Sequence, residues 1–178
     1  FIGCAADQGV AWGQQGFKSK VGPYQASVAA PLIIRAPVAK AKATAGRVVS
    51  EPVSGVDLPP TFFAQAGLKL PWGMHGEDLS PLLESPKAKR QSPAMLVHTG
   101  KLYGSATEKI PTADDPALYH GPGIPWYVML AEGRYKYVRN LIEGEVEELY
   151  DLNKDPEELD NLALKPRHAK RLAGLRAK

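Results

Sequence analysis

The segment that most constrains the fold is an apolar stretch ending in Asp7-Gln8-Gly9. Phe1-Ile2-Gly3-Cys4-Ala5 reads as a buried strand with two oxygen donors where it runs out. A loop rich in Gly and Gln follows over residues 6–30. It carries Gly16-Phe17-Lys18-Ser19-Lys20, then Gly22-Pro23 as a turn. Pro31-Leu32-Ile33-Ile34-Arg35 reads as a second, β-branched strand. In open α/β sheets, ligands bind just outside the carboxyl ends of strands, and a structureless loop this long is usually functional. Asp7 and Gln8 offer hard oxygen ligands of the kind Ca²⁺ or Mg²⁺ takes. Lys20 offers a mobile point charge for an anion. A metal beside a lysine reads as an enzyme site for a sulfate or phosphate ester. The plain alternative is a strand, a polar turn and a solvated lysine.

The 178 residues, 44% hydrophobic and 23% charged, suit a globular chain of one domain or slightly more. No apolar run approaches the ~20 residues of a membrane helix, so no membrane partner is expected. No signal peptide is visible, and the chain starts inside a strand, so the natural N-terminus is expected upstream. Cys4 has no second cysteine to pair with and reads as a small buried residue of the strand. Residues 1–50 carry Lys18, Lys20, Arg35, Lys40, Lys42 and Arg47 against Asp7 alone, which fits an anionic ligand. There is no basic stripe with interleaved aromatics, which argues against nucleic acid.

Downstream, residues 36–46 read as a linker of Ala and Lys, and Val48-Val49 as a short strand. Ser54 caps a helix through about Ala66, with Asp57 in its first turn and Gly67 at its C-terminal end. A helical turn is expected near Leu79–Leu83 and a strand over residues 94–98. A polar excursion runs from about Thr99 to Gly123. Trp126–Leu130 and Tyr135–Arg139 form a hairpin signal, and Glu148–Leu152 a third strand. Asp155 with Glu158 three residues later has the form of a capping box for a short helical turn. Pro166 opens a final basic helix with Leu172 and Leu175 on its apolar side.

These segments resemble the C-terminal part of a sulfatase, in the alkaline phosphatase superfamily. Asp7-Gln8-Gly9 is similar to the family's metal segment, and Gly16 to Lys20 to its Gly-x-x-x-Lys step. Tyr24 with Pro31–Arg35, Val56–Thr61 through Ala66-Gly67-Leu68, and Gly76–Leu83 follow in family order. So do Gly133–Tyr137, Glu148–Leu152, Asp155–Glu158 and Asn161-Leu162. The resemblance implies an α/β fold: the end of an alkaline-phosphatase-like α/β/α sheet domain over residues 1–70, then over 71–178 a small C-terminal antiparallel sheet with a packed helix. It implies sulfate ester hydrolysis, with Asp7 and Gln8 as two ligands of one Ca²⁺ ion and Lys20 as the catalytic contact to the sulfate group. The substrate is a sulfate ester, with a sulfated carbohydrate as one form. Members of the family are often exported.

The family's nucleophile is a formylglycine made within a Cys/Ser-x-Pro/Ala-x-Arg signature. Cys4 is followed by Ala6 and Gln8 at the relevant positions, so the signature is absent and the formylglycine is expected in a missing N-terminal part. The chain alone is expected to be inactive. Gln14-Gln15 stand where Glu-His is common, Gln25 where Glu is usual and Ala29 where Arg is usual. Such losses remove hydrogen-bonded braces and are expected to loosen the lysine loop. His98 and His120 are candidate substrate-binding groups at the two ends of the excursion, while His75 and His168 read as surface residues. Trp72 and Trp126 read as packing residues. Two other readings stay open: a phosphodiesterase or phosphonate hydrolase of the same superfamily, and a non-catalytic remnant that binds sulfated glycans.

Overall fold

The computed structural model describes residues 1–36, 46–85, 87–99, 112, 114, 119–120, 124–142 and 144–178. Along the chain the elements are β1 (Ile2–Ala5), β2 (Ala11–Trp12), β3 (Lys18–Ser19), α1 (Gln25–Val28), β4 (Leu32–Arg35), α2 (Leu58–Ala66) and α3 (Ser80–Glu84). They continue with β5 (Ala94–His98), β6 (Tyr119–His120), β7 (Ile124–Pro125), β8 (Tyr127–Glu132), β9 (Tyr135–Asn140), β10 (Glu148–Asp151) and α4 (Ala169–Arg176). Residues 37–45 of the linker expected over 36–46, and most of the excursion over 99–123, lie outside the described residues. No helix among the described residues is long and apolar enough to cross a membrane. Contacts gather the chain into two compact units, Phe1–Asp7 with Ala30–Ala94 and Gln8–Ala29 with Met95–Lys178.

In the first unit, β1 pairs antiparallel with β4, from Ile2 opposite Arg35 to Ala5 opposite Leu32. All four β1 residues are exposed, Cys4 included, which corrects the expectation of a buried strand. Among the described residues the two strands form a two-stranded ribbon, with no further strand bonded to either. Val48 and Val49 form no strand either. Trp72, expected to pack, is 68% exposed.

The unit's polar centre is Asp57. Its carboxylate accepts from Ser54 N at 2.7 Å and from Glu77 N at 2.8 Å, and it holds the Arg90 guanidinium through both oxygens. The cap expected at Ser54 takes the form of a capping box with Asp57. A 3-10 turn at Gly55–Asp57 leads into α2, because Pro59 and Pro60 have no N–H to give and are tolerated only in a first turn. Gly67 closes α2 at φ 69°, a left-handed position that suits glycine. Thr61 Oγ1 donates to Asp57 O at 2.6 Å and accepts from Leu79 N at 2.9 Å, which ties the loop before α3 to α2. Burial alone raises the Asp57 carboxyl. Arg90 and the two backbone N–H groups outweigh it and hold the group below the usual carboxylate range.

The second unit is built on a sheet of order β10-β9-β8-β5, antiparallel across β8, β9 and β10. Strand alternation gives it two apolar faces. One carries Leu130, Tyr137 and Leu149, covered by Leu162 and by Leu172 and Leu175 of α4, as the leucine spacing in the sequence predicts. The other carries Tyr127, Met129 and Val138 with Ile124, against which Phe17, Val21 and Val28 pack. The layer order is therefore helix, sheet, loop. The segment read as a structureless loop over 6–30 holds a miniature hairpin, with Ala11 opposite Ser19 and Trp12 opposite Lys18, and the single turn α1.

One capping prediction fails. Asp155 accepts from Leu159 N and Asp160 N, at 3.0 and 2.8 Å, and no helix starts there. Glu158 has φ 56° and its side chain is engaged elsewhere, with Lys136 and the backbone of Gln25.

A pH test follows from Asp57. Its pKa is lower folded than unfolded, so its contribution is present above about pH 4 and lost as pH falls through the folded value. Asp57→Asn leaves the buried Arg90 with only Glu77, 3.9 Å away, as a charge partner and is expected to cost about 3 kcal/mol at pH 7. In urea titrations the gap between wild type and variant closes below about pH 4. A gap that is independent of pH contradicts this account.

Candidate functional site

The site is built on the loop from Gln8 to Ala29. Gly9 N donates to Ser27 O at 2.9 Å. A Cβ on Gly9 would lie 2.3 Å from Ala26 O, so only glycine lets the chain after Asp7-Gln8 approach α1 this closely. Four non-glycine residues among those described have left-handed backbone. Three are in this loop: Gln15 (φ 55°), Ser19 (φ 80°) and Val21 (φ 89°); the fourth is Glu158. Ser19 and Val21 flank Lys20 directly. Each such residue costs of order 1–3 kcal/mol and persists only where the surroundings hold it. For β-branched Val21 the conformation is a clear outlier.

The surroundings that hold it belong to the sheet. Tyr127 Oη donates to Val21 O at 2.7 Å. Gln15 Nε2 donates to Glu157 O at 2.7 Å and Glu158 O at 2.8 Å. Gln25 N, at the start of α1, donates to Glu158 Oε2 at 2.6 Å. Lys136 Nζ lies 2.6 Å from Glu158 Oε1 and 3.4 Å from Gln25 Oε1. Glu148 accepts from Tyr24 Oη at 3.2 Å, Asn140 Nδ2 at 3.2 Å and Tyr150 Oη at 2.8 Å. The Tyr24 ring stacks on Phe17 and meets Tyr150 edge-on.

Electrostatics at this seam follow burial. The side chains of Lys136 and Glu158 are 0% and 2% exposed. Burial pulls the Lys136 ammonium down and pushes the Glu158 carboxyl up, and each charge partly offsets the other's shift. Burial, then the nearby Glu148, raises the hydroxyls of Tyr24 and Tyr150. Burial alone raises that of Tyr127, so it stays a neutral donor.

The residues singled out from sequence fall as follows. Lys20 is half-buried between the two left-handed residues. Asp7, exposed, ends the first unit, and Gln8, half-buried, opens the second. His98 is buried on β5 and stacks on Tyr127, ring centroids 5.2 Å apart. His120 pairs through its backbone with Ile124, and its side chain lies outside the described residues. Trp126 is buried, as expected of a packing residue. The side chains of Gln14, Gln15 and Gln25 in the loop all have hydrogen-bond partners. Gln14 Oε1 accepts from Trp12 N at 2.6 Å, Gln15 Nε2 donates to Glu158 O at 2.8 Å, and Gln25 Oε1 accepts from Lys136 Nζ at 3.4 Å. An amide both donates and accepts, so it replaces a charged brace without leaving a bond unmade.

Lys136, Glu158 and Tyr127 were not foreseen from sequence. The signal for Lys136 was its spacing two residues before Val138, which puts both on one sheet face.

Comparison with known proteins gives this geometry a context. Residues 13–103 match the family model described as N-sulphoglucosamine sulphohydrolase, C-terminal. A Delta 4,5-hexuronate-2-O-sulfatase of Bacteroides thetaiotaomicron is 32% identical over 86% of this chain and 28% of its own length. A solved 2-O GAG sulfatase superposes with a TM-score of 0.71 at 27% identity, over 97% of this chain and 34% of that one. The phosphonate monoester hydrolase of Agrobacterium radiobacter superposes at 0.66 with 25% identity, over 97% and 32%. The chain thus spans about a quarter of the length of the curated relatives it matches. The expected architecture stands: mixed helix and strand of the alkaline-phosphatase-like class, with a small antiparallel sheet and a packed C-terminal helix.

The buried pair gives a stability test. Lys136→Met strands the Glu158 carboxylate and is expected to cost about 3–5 kcal/mol by urea denaturation. Adding Glu158→Gln removes the stranded charge, keeps an acceptor for Gln25 N and recovers most of that loss. A double variant as unstable as the single one contradicts the ion-pair account.

Proposed function

Because the chain belongs to the sulfatase family and matches its C-terminal part, we propose that it completes the active site of a sulfuric ester hydrolase. Lys20 contacts the sulfate group, and Asp7 and Gln8 are two ligands of a Ca²⁺ ion. The observation that carries this reading is the backbone at Lys20. A lysine held between two strained residues, inside the stretch matched by the family model, is a group whose position is specified rather than a solvated tail.

In this reading the chain is the C-terminal part of a longer polypeptide. The formylglycine nucleophile and the remaining metal ligands come from the part that precedes it. The donor chemistry of Asp7 and Gln8 suits Ca²⁺, but two oxygens are fewer than the roughly six to eight that the ion takes. Among the described residues no cluster of three or more His, Cys, Asp or Glu stands ready to hold a metal. When bound, the ion supplies positive charge that polarises the sulfate oxygens. Lys20 orients the same oxygens through charge-assisted hydrogen bonds and offsets the charge that grows as the S–O bond breaks. The reaction is RO–SO₃⁻ + H₂O → ROH + HSO₄⁻. Since relatives are named for sulfated sugars, a sulfated carbohydrate is the proposed substrate class, with His98 and His120 on the substrate side.

A phosphonate monoester hydrolase is the second reading, favoured by the likeness to solved enzymes of that name. Turnover of an aryl phosphonate monoester or phosphodiester with none of an aryl sulfate selects it.

Lys20→Ala in the full-length polypeptide is expected to lower kcat/KM for an aryl sulfate roughly 100-fold. Unchanged kinetics contradict the assignment. The isolated chain is expected to bind Ca²⁺ no more tightly than about 1 mM in calorimetry. Tight one-to-one binding contradicts the incomplete ligand set.

A further inference from the structure

The strain around Lys20 needs a restraint, and the structure supplies one at a single atom. The Val21 carbonyl, one residue past Lys20, accepts a hydrogen bond from Tyr127 Oη at 2.7 Å. Tyr127 starts β8 and is 1% exposed, so its ring cannot swing away without opening the core formed with Ile124, Met129 and Val138. The Val21 side chain packs into that same core. Carbonyl and side chain of one strained residue are therefore both fixed from the sheet. His98 stacks on the face of the same ring. Tyr127 is thus the common support of the two candidate substrate-side groups, Lys20 and His98, that chain order places far apart.

We propose that Tyr127 is a positioning residue for the sulfate-binding lysine: its hydroxyl holds Val21 in the left-handed conformation that sets where the Lys20 ammonium points. The inference rests on the sulfatase reading of Lys20. Without the hydroxyl, the Val21 peptide is free to relax to an ordinary extended or helical conformation, and that rotation re-aims the residue before it. A purely structural tyrosine contributes its ring to packing, which Phe reproduces. The positioning role resides in the oxygen.

The experiment uses Tyr127→Phe, Lys20→Ala and the double variant in the full-length polypeptide, with an aryl sulfate as substrate. Amide hydrogen exchange is read at Ser19–Gly22. Tyr127→Phe is expected to lower kcat/KM roughly 10-fold, in the range of groups that orient a ligand from behind it. It is expected to speed exchange at Ser19–Gly22 and to cause no further loss once Lys20 is Ala, since nothing is then left to position. Faster exchange with non-additive kinetics supports the proposal. Unchanged exchange overturns it, as does the same fractional loss with and without Lys20, and in both cases the sulfatase reading stands if Lys20→Ala alone is impaired. Full activity of Lys20→Ala overturns the sulfate assignment itself, and the positioning role with it.

Discussion

Lys136 and Glu158 lie 2.6 Å apart with almost no access to water, between the sheet of the second unit and the loop that carries Lys20. An isolated charge in such a place is strongly disfavoured, so the pair forms only when sheet and loop are both in register. The loop depends on it in turn. Glu158 receives the first N–H of α1 and lends its backbone carbonyl to Gln15, and Lys136 reaches the Gln25 side chain. A stretch of backbone with several left-handed residues has little intrinsic preference for its conformation. The seam around this pair imposes it.

The division of labour across the sheet follows from strand alternation. Odd and even positions of β8, β9 and β10 meet different layers. Leu130, Tyr137 and Leu149 meet the C-terminal helix, which supplies apolar burial. Tyr127, Lys136, Val138, Glu148 and Tyr150 meet the lysine loop, which needs polar anchors as well as contact. The C-terminal sheet is thereby more than a stabilising appendage: one face makes the core and the other shapes the loop proposed to bind sulfate. Glutamines in place of charged residues fit this seam, since their amides complete hydrogen bonds without adding a further buried charge.

Much of this was legible in the chain. The cap at Ser54 with Asp57 in the first turn, the glycine stop at Gly67, the hairpin at residues 126–139 and the leucines of the last helix are local patterns, decided by a few neighbouring residues. Burial of β1 was misjudged because an apolar run specifies a preference for burial and not the presence of a covering layer. Glu158 was misread because its spacing from Asp155 satisfies a capping box, while its partners, Lys136 and Gln25, are distant in sequence. The same limit hid Tyr127. Sequence reading found Lys20 and His98 as chemical groups, but what supports them is a tertiary contact with no local signature.

The most direct test is a crystal structure of the full-length polypeptide with sulfate bound. The account predicts the Lys20 ammonium within about 3 Å of a sulfate oxygen, with Val21 still left-handed and bonded to Tyr127. Sulfate bound without Lys20, or a Lys20 loop detached from the sheet, would contradict it.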